Sequence, residues 1–443
     1  MKASSVRLER TTFAFGGQRS IQLSYEDTRG ESNSHTTQGG ISLAAMAPGT
    51  ESHAQRSSTW GIAGITFLNS LATGILWNGL GFITDRQYQY TQRETYLVFI
   101  GTGLVYTIAA LCSGPLVRRL GKRASPRRVM AILFIVQALV APLVYLSGSS
   151  VGLLIVALVT SATGALLWPI VEAYVGGGRD GTQVRKAIGR WCLVWMASVA
   201  LVLVLMAPLT NTDGWLTPQL ALGAIAPLSL LSIVCLRWVA PQPAPHVESH
   251  EPAPPEYAAQ LRCARVLLPA SYLLVGALSP LMPYVLNQID LPLASQTPLT
   301  ATWLVMRLGI VAVLAHAHFW HGRWGALFAG ALCLFGGFAL VVGVPSLATI
   351  IVGLALFGVG HGIIYYAALY YALRVGKAEV DAGSIHESLI GLGYVIGPAA
   401  GLAGSILGGG AWTVGIIWVI LGLVAIPALR PYFSERAIHR TRR

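Results

Sequence analysis

Long apolar runs alternate with short polar stretches along most of the chain, from Trp60 to about residue 429. Each run has about 18 to 26 residues, and a helix of that length crosses the hydrocarbon core of a bilayer. The runs predict twelve such helices, over residues 60–84, 97–117, 129–147, 151–173, 191–209, 218–239, 264–287, 299–319, 325–345, 347–372, 386–407 and 410–429. The predicted fold class is therefore an all-α integral membrane protein.

The positive charges predict how these helices are oriented. Lys and Arg near membrane helices concentrate on the cytoplasmic side. If the N-terminus is inside, all but three of the 30 Lys and Arg residues fall in cytoplasmic segments. Arg86 and Arg93 fall outside, and Arg307 lies within a predicted helix. We therefore predict a multi-pass protein of the cell membrane with both termini in the cytoplasm.

The polar segments divide the chain into parts. A Pro-rich stretch, APQPAPHVESHEPAPPEYAAQ at 240–260, cannot pack as a core and separates six predicted helices from six. The predicted parts are a disordered cytoplasmic segment over 1–58, a six-helix bundle over 59–239, a cytoplasmic linker over 240–262, a second bundle over 263–430 and a basic tail over 431–443.

Composition excludes several functions. Only 11% of the residues are charged, against about 25% in soluble domains. The net charge of +12 does not indicate nucleic-acid binding, because no long polar domain could present it. The five cysteines lie in or beside apolar runs without C-x-x-C spacing, so we interpret them as packing residues and predict no metal site and no cofactor.

One basic segment carries a family resemblance. GPLVRRLGKR, residues 114–123, joins predicted helices two and three and resembles the loop signature of the major facilitator superfamily of secondary transporters, with Arg118 where the family usually has Asp. A weaker copy is GRWG at 322–325, between helices eight and nine. The resemblance covers residues 60–430. It implies two pseudo-symmetric six-helix bundles that move a small molecule by alternating access, and a non-enzymatic, monomeric protein in contact with membrane lipids.

Two glutamates at the cytoplasmic ends of helices are predicted gate residues. WPIVEAYVGGGRD, at the end of helix four, resembles an inner-end pattern of the family, and Glu387 has a comparable place in helix eleven. We predict that Glu172 and Glu387 form ion pairs at a cytoplasmic gate that also contains Arg118, Arg119 and Arg190. Fixed pairs without a gating role are the alternative. The glycines four apart in GYVIGPAAGLAG of helix eleven predict close helix packing.

Polar groups inside the predicted helices are the candidate substrate ligands, because polar side chains at that depth face a cavity or a partner. Arg307 cannot lose its proton and needs an anion or carbonyl groups. His361 could couple protons or hydrogen bond as a neutral ring, and Tyr365 shares its helix face. Asn69 and Gln137 bind either substrate or other helices. Trp168, Tyr272 and Tyr284 are candidates to line the pathway.

Several alternatives stay open at this point. Arg307 favours an anionic substrate, whereas the aromatic residues favour a sugar or an amphipathic drug. A coupling proton, acting at Glu172, a coupling sodium ion and facilitated diffusion are all compatible with the sequence. A transporter-like sensor or scaffold is the second candidate function. A membrane-embedded transferase is the third, although the loops lack a constellation of catalytic residues.

Overall fold

The computed structural model describes residues 59–120, 123–146, 150–179, 181–210, 217–245, 254–344, 346–375 and 380–441. The predicted N-terminal segment 1–58 lies outside these ranges. All regular elements within them are helices.

Twelve helices of the described ranges are long and apolar enough to cross a membrane, which confirms the predicted fold class. They are α1 (Thr59–Tyr88), α2 (Gln92–Leu120), α3 (Pro126–Tyr145), α4 (Ser150–Gly176), α5 (Gln183–Leu205), α6 (Pro218–Trp238), α7 (Pro255–Asn287), α8 (Leu293–His316), α9 (Trp324–Gly343), α10 (Leu347–Ala372), α11 (Gly383–Leu407) and α12 (Ala411–Ser434).

Several helix ends differ from the predicted boundaries, and two of them fall in segments predicted as linker and tail. α7 begins at Pro255, inside the predicted linker, because a proline at the first helical position costs no hydrogen bond and has a helical φ. The helix that contains α12 continues to Thr441, through the predicted tail. Amphipathic and charged residues end an apolar run, but they continue a helix without difficulty.

The contacts of the first six helices are repeated by the last six. In the first bundle α1 packs on α5 and α6, α2 on α4, and α3 on α4 and α6. In the second bundle α7 packs on α11 and α12, α8 on α10, and α9 on α10 and α12. Each pair in the first list matches the pair six helices later, so the two halves are pseudo-symmetric bundles.

Burial separates an inner layer from an outer one. α7 is the most buried of the twelve helices. In an 18-residue apolar stretch of α7, 89% of the residues are buried inside the protein, whereas the corresponding share in α12 is 22%. The outer helices α3, α9 and α12 expose large apolar side chains such as Leu139, Leu332 and Ile426. Exposed leucine and isoleucine are stable there only against lipid tails, so these helices form the lipid-facing surface.

The bundles touch each other through α2 and α11, α5 and α8, α4 and α11, and α1 and α7. We call the end that carries the α2–α3, α4–α5, α6–α7, α8–α9 and α10–α11 connections the basic end, because most Lys and Arg residues of the described ranges lie there. Contacts exist at both ends. At the basic end α11 approaches α4 at Gly383, and at the opposite end α1 approaches α7 at Gly81.

Glycines also allow close helix contacts within a bundle. A Cβ added at Gly397 of α11 would lie 2.0 Å from the carbonyl oxygen of Leu273 in α7. We expect Gly397→Ala to lower the free energy of unfolding by about 1–3 kcal/mol, the cost of overpacking a core. The measurement is the melting temperature of the purified protein. Gly415→Ala is the control, since nothing lies within 4 Å of its added Cβ, and equal melting temperatures for the two variants would contradict the expectation.

Candidate functional site

A cavity of about 80 Å³ lies between the two bundles, near the middle of the helices that surround it. α1, α2, α4 and α5 line it from the first bundle, and α7, α8, α10 and α11 line it from the second. Its walls are mainly aromatic: Trp77, Tyr106, Trp168, Trp191, Trp195, Tyr272, Trp303, Tyr365 and Tyr394. The predicted pathway residues Trp168 and Tyr272 are among them.

A local irregularity of α1 shapes one wall. Residues Ile75–Gly79 form a π-helical turn, and such turns often occur at functional sites because they rotate the side chains that follow. Trp77 and Asn78 of this turn both line the cavity. The Trp77 ring stacks on Tyr394 of α11 at 4.0 Å with an interplanar angle of 8°. This stack joins the two bundles across the cavity.

Arg307 is the charged centre of the cavity. It lies near the middle of α8, is 2% exposed, and its Nη2 donates a hydrogen bond to the Tyr272 hydroxyl at 3.2 Å. Its guanidinium carbon lies 4.4 Å from the ring centroid of Trp195 and 4.6 Å from that of Tyr365. These distances are typical of cation–π contacts.

Within the described part of the chain, Arg307 has no carboxylate partner, and its Nε has no hydrogen-bond partner. Aromatic faces stabilise a buried guanidinium but do not neutralise it, and an unpaired charge at this depth is costly. The side chain therefore presents a fixed positive charge to the cavity. Glu387 also lines this cavity, but among the described residues its carboxyl group forms no salt bridge with Arg307.

The two candidates of α10 differ in their placement. Tyr365 lines the cavity and meets the Trp195 ring edge to face at 5.3 Å. His361 is fully buried and does not line the cavity; its ring packs on those of Tyr272 at 4.8 Å and Trp303 at 5.6 Å. His361 thus packs behind two cavity residues and, in this conformation, does not face the cavity.

Asn69 and Gln137 are not cavity residues either. The Asn69 amide donates to Gln137 Oε1 at 3.2 Å, Ser229 donates to the same oxygen at 3.1 Å, and Gln137 Nε2 donates to Thr163 at 2.9 Å. The four residues come from α1, α3, α4 and α6 of one bundle. Of the two uses that the sequence allows, the structure shows interhelical bonding, so we no longer assign them to substrate.

This network gives a prediction about stability. Gln137→Leu leaves Asn69 and Ser229 buried without their acceptor, and each such loss costs about 1–3 kcal/mol. We expect a lower melting temperature and an unchanged KM for transport. Gln183→Leu, at an exposed position of α5, is the control for adding leucine. A changed KM with an unchanged melting temperature would indicate that Gln137 contacts the substrate.

Glu172 and Glu387 face each other from α4 and α11, on the side of the cavity toward the basic end. Carboxyl oxygens of the two residues lie within 4.8 Å of each other, and Tyr106 donates a hydrogen bond to Glu387 Oε2. Both glutamates are more than nine-tenths buried. A hydrogen bond between two carboxyl groups requires a proton on one of them, because carboxylates only accept.

The glutamate pair corrects the predicted gate. Neither Glu172 nor Glu387 has a Lys or Arg partner within the described ranges; the two acids bind each other instead. A ring nitrogen of His386 also lies within 4.8 Å of both carboxyl groups. We interpret the cluster as a protonated pair and not as a metal site, because a metal ion requires deprotonated ligands.

The predicted basic gate residues lie away from this pair. Arg118 and Arg119 are exposed at the end of α2. Arg190 is exposed on α5 and lines a second cavity of about 250 Å³ at the basic end, together with Arg179 and Lys186. The described structure therefore does not bring the predicted gate residues together at one place.

The opposite end is held by a polar cluster that the sequence did not indicate. Arg86 Nη2 donates to Asn287 Oδ1 at 2.9 Å and to Gln296 Oε1 at 3.0 Å, across the two bundles. Tyr284, a predicted pathway residue, donates to the backbone oxygen of Tyr90 at 2.7 Å and so belongs to this end. The distribution of Lys and Arg residues predicts that Arg86 lies in an outside loop, and this prediction does not identify a partner for its side chain.

Comparisons with known proteins agree with this architecture. The family model of the major facilitator superfamily matches residues 62–384. The crystal structure of the human organic anion transporter MFSD10 (TETRAN) is similar, with a TM-score of 0.60, 16% identity, and coverage of 86% of this chain and 99% of that one. The nucleoside transporter NupG is similar, with a TM-score of 0.57, 12% identity, and coverage of 84% and 98%.

The curated protein sequences contain no significant match to the chain. At sequence identities of 12% and 16%, the two similar structures support the same fold but do not identify the substrate of this chain. The family model, however, spans well over half of the chain, and the twelve helices repeat as two six-helix bundles. The chain belongs to the major facilitator superfamily of membrane transporters.

Proposed function

We propose that the protein is a secondary transporter of a small organic anion, which binds in the central cavity with its acidic group on Arg307. The observation that carries this proposal is the buried guanidinium of Arg307, which faces the cavity without a carboxylate partner in the described structure. A carboxylate or sulfonate on the substrate would supply the missing charge through charge-assisted hydrogen bonds.

The aromatic lining supports a substrate with a planar or apolar body. Trp195 and Tyr365 both contact the guanidinium, and Trp168 and Tyr394 continue the aromatic wall. Rings of this kind contact apolar and aromatic groups with large buried areas. The similar human structure is described as an organic anion transporter, whereas NupG carries nucleosides; the charge of Arg307 favours the anion.

The position of the site supports a mechanism of alternating access. The cavity walls come from both bundles, and the bundles touch each other at both ends. A rocking motion that separated α1 from α7 would open one end, and one that separated α4 from α11 would open the other. We further propose that the protein lies in the cell membrane, with the basic end and both termini on the cytoplasmic side.

The coupling ion that we propose is a proton carried by Glu172 and Glu387. Their carboxyl oxygens lie within 4.8 Å of each other across α4 and α11, and a hydrogen bond between them exists only while one carboxyl group is protonated. Loss of the proton leaves two negative charges facing each other, which repel and separate the bundles at the basic end. Proton release would thus accompany opening of that end.

Uptake into proteoliposomes tests the function. The panel consists of aromatic and aliphatic carboxylates, sulfonates, their neutral amides, nucleosides and sugars. We expect uptake of one or more anions and none of the matching neutral amide. Uptake of neutral solutes alone would contradict the anion assignment. No uptake of any member, from protein shown to be folded, would favour the sensor or scaffold function instead.

A further inference from the structure

Two guanidinium groups and an imidazole lie at the basic end, apart from the central cavity. Arg185 is near the start of α5, His321 is in the α8–α9 connection, and Arg374 follows α10. The group therefore contains one guanidinium from the first bundle and one from the second. None of the three residues lines the central cavity.

Packing brings the three elements together at this place. A Cβ added at Gly189 of α5 would lie 2.9 Å from the side chain of Ala315 in α8 and 3.4 Å from the Tyr366 hydroxyl in α10. Arg185 precedes Gly189 by four residues, so it projects from the same face of α5. The His321 ring stacks on Tyr370 of α10 at 4.7 Å with an angle of 14°, which fixes the connection against the same helix.

The guanidinium groups of Arg185 and Arg374 both act on the imidazole of His321. Burial, followed by the positive charges of Arg185, His318 and Arg374, lowers the pKa of His321 to about 4. The imidazole is consequently neutral at physiological pH and can donate one ring hydrogen. The same two guanidinium groups also act on Tyr370.

No carboxylate pairs with this group among the residues that the structure describes. Neither Arg185 nor Arg374 forms an ion pair or a hydrogen bond with a carboxylate in the described structure. Four buried atoms have no hydrogen-bond partner there: Arg185 Nε, His321 Nε2, Tyr366 Oη and Arg374 Nε. Tyr366 is fully buried, and buried polar atoms of native proteins are generally paired. Like charges and unpaired donors at one place indicate a ligand that accepts from all of them.

We infer that Arg185, His321 and Arg374 form a binding site for a phosphate group that bridges the two bundles. Guanidinium groups match phosphate oxygens with paired donors, and a phosphate has enough oxygens for several donors. Two sources offer this chemistry at the basic end: the headgroup of an anionic phospholipid and a free phosphate or phosphate ester. Because the site joins α5 to α10, its occupant holds the bundles together at that end.

The test is a thermal-shift measurement on the full chain in detergent and phosphate-free buffer. The probes are inorganic phosphate, a short-chain phosphatidylglycerol and the matching zwitterionic phosphatidylcholine. A ligand that binds the folded state raises the melting temperature. We expect an increase of a few degrees with phosphate, with phosphatidylglycerol or with both, and little change with phosphatidylcholine. A response to the lipid alone assigns the headgroup as the source, and a response to phosphate alone assigns the free anion.

Variants locate the site. Arg185→Gln and Arg374→Gln should each lose at least half of the shift, and Arg185→Lys should keep part of it, because it keeps the charge but not the paired donors. Both glutamine variants should fold, since each removes one of several like charges. Arg190→Gln, at an exposed position of the same helix, and Arg307→Gln, in the central cavity, should keep the full shift.

Three results would overturn the inference. The first is no shift of the wild type with phosphate or phosphatidylglycerol, and the second is an equal shift with phosphatidylcholine. The third is a shift that persists in both Arg185→Gln and Arg374→Gln, or that disappears in Arg307→Gln, which would assign the binding to the central cavity. None of these results would contradict anion transport through Arg307, so the two proposals fail separately.

Discussion

Arg307→Gln is expected to abolish uptake while leaving folded protein in the membrane. The wild-type guanidinium contacts the rings of Trp195 and Tyr365 and has no carboxylate partner among the described residues, and glutamine cannot balance the charge of an anionic substrate. Loss of one partner of a buried charge pair costs about 2–5 kcal/mol, which corresponds to a decrease in kcat/KM of roughly 30-fold to several thousand-fold. The measurement is the initial rate of uptake into proteoliposomes over a range of substrate concentrations.

Two further variants make this result specific. Arg307→Lys keeps the charge but loses the planar donor geometry and the stacking, so it should retain partial activity. Arg323→Gln changes an exposed arginine near the same helix and should transport like the wild type. If Arg307→Gln transports normally, the guanidinium has a structural role only, and the anion assignment loses its support.

Glu172→Gln and Glu387→Gln are expected to uncouple transport from the proton gradient. Glutamine can still hydrogen bond across α4 and α11, but it cannot take up or release a proton. The accumulation ratio driven by an imposed pH gradient should fall by about 5- to 150-fold, the range of a coupling free energy of 1–3 kcal/mol. Exchange of labelled for unlabelled substrate at equal pH needs no net proton movement and should continue.

Glu94→Gln is the matched control, because Glu94 is an exposed carboxylate at the opposite end of α2. It should accumulate substrate like the wild type. Unchanged pH-driven accumulation in both Glu172→Gln and Glu387→Gln would remove the pair from coupling. Loss of exchange in both variants, from folded protein, would assign the pair to substrate binding or to helix packing.

The fold could be predicted from the sequence because each of its determinants is local. A membrane helix needs only a sufficient run of apolar residues, and all twelve helices lie where the runs do. Helix ends were less accurate. The residues between Pro255 and the apolar run of α7 are polar enough for a loop but form helix, since hydropathy reports contact with lipid and not the backbone conformation.

Arg307 could be identified from the sequence because a charged side chain within an apolar run is costly unless it faces a cavity or a partner. This inference needs only the sequence of α8. Asn69 and Gln137 show the limit of the same reasoning. An amide inside a helix meets either a ligand or another helix, and only the positions of α1, α3, α4 and α6 relative to one another decide which.

The remaining features depend on contacts between the bundles. Glu172 was predicted to pair with nearby basic residues, but its partner is Glu387, on α11. Trp77 lines the cavity as part of a π-helical turn. The pattern of apolar and polar residues around Trp77 does not predict this turn. Helix propensity and hydropathy describe neighbours in sequence, whereas these contacts join residues that are far apart in the chain.

The most direct test of the central claim is isothermal titration of a transported anion into purified wild-type protein and into Arg307→Gln. The account predicts saturable binding of one anion per protein by the wild type, with the affinity of Arg307→Gln reduced by about 30-fold or more. Equal affinities of the two proteins for the anion would contradict the account, because the charge would then be balanced elsewhere.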